Sequence, residues 1–213
     1  MQALVTGFEP FGGDRINPSL EALARLPQRL GGLAVATRAL PVVYGRALPA
    51  LREALAAVRP DIVLCTGLAG GRAELSLERV AINIDDARIP DNDGNQPIDR
   101  PVVSGAPAAY FATLPIKAAV AALREAGLPA AVSNSAGTFL CNHLFYGLMH
   151  EAATGPRRFR GGFLHLPCLP SQAVQQPGMP SMALETIVEG IELILSVAAA
   201  RHDDLVASEG AIS

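Results

Sequence analysis

The sequence predicts an α/β fold: a single-domain, three-layer α/β/α arrangement with a mostly parallel, twisted sheet covered by helices on both faces. Three observations lead there. Short β-rich runs alternate with longer stretches dominated by Ala and Leu. The short runs are continuously apolar rather than alternating, as strands buried on both faces must be. Half of the 213 residues are hydrophobic and only 17% are charged, enough to fill a core between helical layers.

Taken in order, the first strand falls at 2–6 (QALVT). A helix over 19–29 follows, and Pro18 suits its first position, where a missing N–H costs nothing. A strand at 33–40 (LAVATRAL), a helix at 46–58 and strands at 61–66 (DIVLCT) and 77–84 (LERVAINI) come next. Residues 85–107 are polar and rich in Pro, Gly, Asp and Asn; a stretch of that length without an element points to function. A helix over 108–126 is stopped by Gly127. The remaining elements are a strand at 130–134 (AAVSN), a helix at 139–153, a strand at 162–166 (GFLHL) and a helix at 181–201. Residues 203–213 read as a mobile tail. With no repeat and no linker, residues 1–213 are expected to form one domain.

Charge and cysteine usage narrow the function. A net charge of -3 gives no general attraction to nucleic acid or anionic lipid, so no nucleic-acid or membrane partner is expected. The apolar 183–200 stretch carries Glu185, Glu189 and Glu192, which mark a solvated helix face rather than a membrane span. Three cysteines, at 65, 141 and 168, are too few for a disulfide framework and lack the spacing of a zinc site. Neither metal nor cofactor is expected. Free thiols suit a reducing compartment, and the start of the chain lacks a secretory leader's pattern, so a cytoplasmic enzyme or binding domain is expected.

Ligands of open α/β sheets bind beyond the carboxyl ends of the strands, which singles out 7–17, 67–72, 85–95, 135–141 and 165–172. Cys141 follows the turn Ser133-Asn134-Ser135-Ala136-Gly137 and opens a helix, where the dipole favours thiolate; it is either a nucleophile or a buried core thiol. His165 ends a strand, at the same end of the sheet, and could take a proton from such a thiol. His143 and His150 share the Cys141 helix, and His143, two residues on, points to another face. Glu78 is a charge within an apolar strand. It either orients an imidazole or pairs with Arg72 or Arg79. The loop FEPFGG sets Phe8 and Phe11 beside two glycines, either as core or as aromatic faces for a flat, uncharged ring. GLAGGR at 67–72 lacks the Lys-Ser/Thr of a phosphate loop. Arg72 and Arg88 either stabilise an oxyanion or pair with nearby acids.

The stretches LVTGFEPFGGDRINPS, GLAGGRAELSLERVAINIDDARIPDNDGNQP, SNSAGTFLCNHLFYG and GGFLHLPCLPSQ, in that order up to about residue 172, resemble the pyroglutamyl-peptidase I family of cysteine peptidases. The resemblance implies a Cys-His-Glu triad at Cys141, His165 and Glu78, with Arg88 near the oxyanion. It implies a pocket for the pyroglutamyl ring formed by Phe8, Phe11, Asn17 and Phe139. It further implies a cytoplasmic, metal-free homotetramer that takes peptides with an N-terminal pyroglutamyl residue. Two positions depart from the family's pattern: Leu68 stands where a glutamine is common, and Cys168 where an aromatic is. Two other readings compete. In one, a phosphorylase-like α/β enzyme uses the glycine loops and arginines for phosphate. In the other, a non-catalytic domain binds blocked N-termini.

Overall fold

The apolar runs assemble into one seven-stranded sheet in a computed structural model that describes residues 1–210. From edge to edge it runs β2 (Arg29–Leu30), β3 (Leu33–Leu40), β1 (Gln2–Phe8), β4 (Ile62–Leu68), β9 (Arg160–Leu166), β5 (Leu75–Glu78) and β8 (Ala130–Ser133). Strands β3, β1, β4 and β9 are parallel neighbours. β5 and β8, parallel to each other, run against β9, and β2 runs against β3. The sheet is therefore mostly parallel, with reversed strands on both flanks.

Alternation along the strands separates two cores. Ala3, Val5, Ile62, Leu64, Leu164 and Leu166 bury one face under α1 (Pro18–Leu23), α3 (Ile116–Glu125) and α6 (Leu184–Ala200). Leu4, Val63, Cys65 and Phe163 bury the other under α2 (Tyr44–Val58) and α4 (Leu140–Thr154). Helix α4 is apolar nearly all round because it is enclosed nearly all round. A Cβ on its Gly147 would stand 2.1 Å from a Leu48 methyl, so α2 and α4 meet closely there and a larger residue would have to move Leu48. On its outer side lies a small antiparallel pair, β6 (Val80–Ile82) with β7 (Ala109–Phe111). The buried Asn142 carboxamide ties this pair to α4, accepting from Ile82 N at 3.0 Å and donating to the carbonyls of Ile82 and Ile84 at 2.9 Å.

Several boundaries differ from the sequence expectation, each for a local reason. The strand placed at 77–84 breaks after Glu78, which ends β5 in the main sheet, while β6 turns away to pair with β7. The helix placed at 108–126 starts only at Ile116. Pro115 disfavours helical backbone just before it, and 109–111 is taken up as β7. The helix placed at 19–29 stops at Leu23; Pro27 restricts Leu26, and Arg29–Leu30 joins the sheet edge. Pro170–Ala173 forms a short unexpected helix, α5. Over its described part the expected tail makes contacts with the body of the fold. Asp204 caps α3 by accepting from the N–H groups of Lys117 (3.0 Å) and Ala118 (2.9 Å). Glu209 pairs with Arg124 at 2.7 Å, and its carbonyl accepts from Arg79. Residues 211–213 of the expected tail lie outside the described residues. Among the described residues no helix is long and apolar enough to cross a membrane.

Candidate active site

The parallel pairing of β4 with β9 sets Gly67 beside His165 at the carboxyl ends of the two strands. Helix α4 begins above them, with Phe139 extended at its N-cap and Cys141 at the second helical position. A Cβ on Gly67 would lie 2.8 Å from Cys141 Sγ and 3.0 Å from the Phe163 ring. The thiol thus occupies the space that any other side chain at 67 would fill. In GLAGGR, a glycine near the end of a buried strand is the local sign of this close approach.

Glu78 reaches the site from the reversed strand. The antiparallel register places it opposite Phe163, and therefore on the face that also carries His165 two residues further along. Its Oε1 accepts from His165 Nδ1 at 2.7 Å and from Arg72 Nη1 at 2.8 Å. Glu78 thus bonds the imidazole and Arg72 through one oxygen, while Oε2 is buried without a partner. Arg72 also donates to the Ser135 carbonyl at 3.1 Å, so the guanidinium clamps the acid to the turn that precedes Cys141. The His165 ring packs edge-on to Phe163, centroids 4.9 Å apart. With Nδ1 committed to Glu78, Nε2 is the ring atom left for the neighbouring thiol.

A cavity of about 370 Å³ opens over these groups, and Cys141 and His165 both line it. Phe11 and Phe139, centroids 6.1 Å apart, form one wall, and Ala136 to Thr138 line the cavity as well. Arg88, exposed, lines it from the 85–107 stretch. That stretch is held in place by its own side chains. Asp91 accepts from the N–H groups of Tyr44, Asp93 and Asn95, and Asn92 reaches across to the Pro10 carbonyl at 3.0 Å, beside Phe11. Leu68, Gly70, Ile89, Cys168, Asp14, Gln176 and Met179 complete the lining; Gln176 and Met179 gave no signal in the sequence.

Phe8 and Asn17 take other places. Phe8 is buried in the core beneath α2 and does not line the cavity. Asn17 caps α1, accepting from Ser19 N and Oγ, and its amide donates to the Glu9 carbonyl at 3.0 Å. It thereby fixes the loop that carries Phe11. His143 is bonded to Asp85, with 2.9 Å between Nδ1 and Oδ2, and His150 to the Tyr110 hydroxyl, both away from the cavity. Cys65 is fully buried, and burial pushes its thiol up to about 12. Among the described residues no group of three His, Cys, Asp or Glu could hold a metal.

The electrostatics of the pair are set by burial. Desolvation, and next the Glu78 carboxylate, push the Cys141 thiol up to about 12, against a smaller opposing pull from Arg72. Desolvation also holds His165 below its ordinary value, although the bond to Glu78 works in the other direction. Burial thus works against the thiolate that a helix start favours, and against the imidazolium beside it.

Proteins of similar sequence and fold are known. The sequence profile of the pyroglutamyl peptidase family matches residues 1–201. A pyrrolidone-carboxylate peptidase of Erwinia tasmaniensis is 55% identical over 211 residues, covering 99% of this chain and 98% of that protein. One of Yersinia pestis is 51% identical over 212 residues, with 99% of each covered. The crystal structure of pyroglutamyl peptidase I from Bacillus amyloliquefaciens superposes with a TM-score of 0.94 at 45% identity, over 97% of this chain and 99% of that one. A mutant pyrrolidone carboxyl peptidase of Pyrococcus furiosus gives 0.91 at 44% identity, over 94% and 99%. A profile match over nearly the whole length and relatives above half identity leave one conclusion: the chain belongs to the pyroglutamyl peptidase family.

Proposed function

We propose that this chain hydrolyses the amide bond after an N-terminal pyroglutamyl residue, with Cys141 as nucleophile, His165 as proton carrier and Glu78 as the group that orients it. The observation that carries the reading is the 2.7 Å bond between His165 Nδ1 and Glu78, which leaves Nε2 for the cavity shared with Cys141. As Cys141 Sγ attacks the pyroglutamyl carbonyl carbon, its proton passes to Nε2. The tetrahedral oxyanion collapses, the C–N bond breaks, and His165 gives its proton to the departing amine. Water, deprotonated by the same Nε2, then attacks the thioester and releases pyroglutamate and the thiol. Glu78 stabilises the transient imidazolium, and Arg72 holds Glu78. Arg88 and the unpaired N–H groups of the first turn of α4 are the donors available to the oxyanion.

The substrate class follows from the walls. A lactam presents a flat, uncharged ring, and Phe11 and Phe139 offer apolar faces for it. Hydrolysis of a pyroglutamyl-coumarin amide, set against a glutamyl-coumarin amide, tests the reading. Release from the first alone is expected; release from neither would overturn it. Addition to Cys141 of a pyroglutamyl chloromethyl ketone, located by mass spectrometry, tests the nucleophile in the same experiment. Three unpaired thiols further support a place in the reducing cytoplasm. Assembly into a homotetramer rests on the family resemblance, and light scattering in solution tests it.

A further inference from the structure

We infer that the same cavity selects an apolar residue immediately after the pyroglutamyl group and disfavours an acidic one, through a wall formed by Met179 and Cys168. This rests on the reading above. His165 must protonate the nitrogen that leaves, so the chain beyond that nitrogen runs along the His165 side, while the lactam stays with Phe11 and Phe139. The segment following β9 builds that side. Cys168 lies three residues past His165 and is buried; its sulfur is 3.7 Å from where a Cβ on Gly70 would sit. Its carbonyl accepts from Met182 N at 2.9 Å, which folds the turn bearing the half-buried Met179 back onto the cavity.

Two sulfur-bearing side chains, one short and one flexible, make an adaptable apolar surface. The charge beside them is negative. Asp14 lines the same cavity, is held by Gln172 Nε2 at 3.0 Å, and lies close enough to bias Cys168. A carboxylate on the incoming peptide would meet that charge beside an apolar wall, whereas a leucine side chain would be taken out of water.

The test is kcat/KM for the dipeptides pyroglutamyl-leucine, pyroglutamyl-alanine and pyroglutamyl-glutamate, read by release of free amine in wild type and Met179→Lys. Wild type is expected to favour leucine over glutamate by about tenfold to a hundredfold, the range for one buried apolar side chain. Met179→Lys should bring that ratio towards one by gaining on glutamate and losing on leucine. Cleavage of the alanine peptide without discrimination between the other two overturns this inference and leaves the proposed activity standing. So does discrimination that Met179→Lys does not change. Failure to cleave any of the three removes both.

Discussion

Among the described residues the chain buries two histidine–carboxylate pairs. His165 meets Glu78 at 2.7 Å and His143 meets Asp85 at 2.9 Å, each through Nδ1 and each shielded from water. His143 of the second pair even lies on the helix of Cys141. They differ in what the other ring nitrogen sees. Nε2 of His143 is buried without a partner, its ring edge-on to Tyr44 at 5.1 Å. His165 lines the cavity it shares with the thiol, and its carboxylate is clamped by Arg72. A buried histidine–acid pair is therefore no sign of chemistry in itself; an open second nitrogen beside a nucleophile is.

Substitutions can break or sharpen that contrast. Cys141→Ser, which removes the group that distinguishes the two surroundings, should cut turnover of a pyroglutamyl-coumarin amide at least about a thousandfold with an unchanged circular dichroism spectrum. Substantial residual turnover would remove the contrast. His165→Ala should lower kcat by about 10²–10⁴-fold with little loss of melting temperature. His143→Ala should do the reverse, costing about 1–3 kcal/mol in urea unfolding by orphaning Asp85 while kcat is kept. If the two variants exchange phenotypes, the active pair has been misassigned. Glu78→Gln should reduce kcat by about 10²-fold or more with KM little changed, through a misoriented imidazole; a change confined to stability would make Glu78 a structural ion pair alone.

The pH dependence supplies a finer test. Because His165 is held below its ordinary value, the acid limb of kcat/KM should fall below about 6.5. The unfolded chain then binds more protons than the folded one in the window below 6.5. His165 accordingly contributes stability that is present above the unfolded value and is lost as pH falls towards the folded one. Alkylation of Cys141 by iodoacetamide, followed by mass spectrometry, should accelerate steadily from pH 7 upward, since the thiol is pushed to about 12. A plateau near neutrality would mean a preformed thiolate–imidazolium pair. The smallest effect is expected from Cys168→Ser, which should keep most activity on the coumarin amide; loss of all activity would identify the wrong thiol as nucleophile.

What the sequence made legible follows the range of the interactions involved. Continuous apolar strands and the start and stop residues Pro18 and Gly127 are local signals, and the parallel centre of the sheet follows from them. The reversal of β5 is not local. Nothing in LSLE states that it pairs against β9, yet that register is what carries Glu78 to His165. The break after Glu78 was hidden because LERVAINI is apolar on both sides of it, and only the competition between two sheets divides it. In the site, Cys141, His165 and Glu78 stood out as chemically capable residues in apolar surroundings. Asn17 stood out through its motif, but its role as a helix cap depends on where α1 begins. Met179 and Gln176 were invisible because their position is set by a turn fixed through Cys168 and Ser181, not by any pattern in their own segment.

Gly67 ties the identity of one strand residue to the seat of another residue's sulfur. A side chain there would meet Cys141 Sγ at 2.8 Å and the Phe163 ring at 3.0 Å, so the thiol can rest where it does only while β4 carries no Cβ at that place. The position of Cys141 is thus decided by a strand as much as by the helix that bears it.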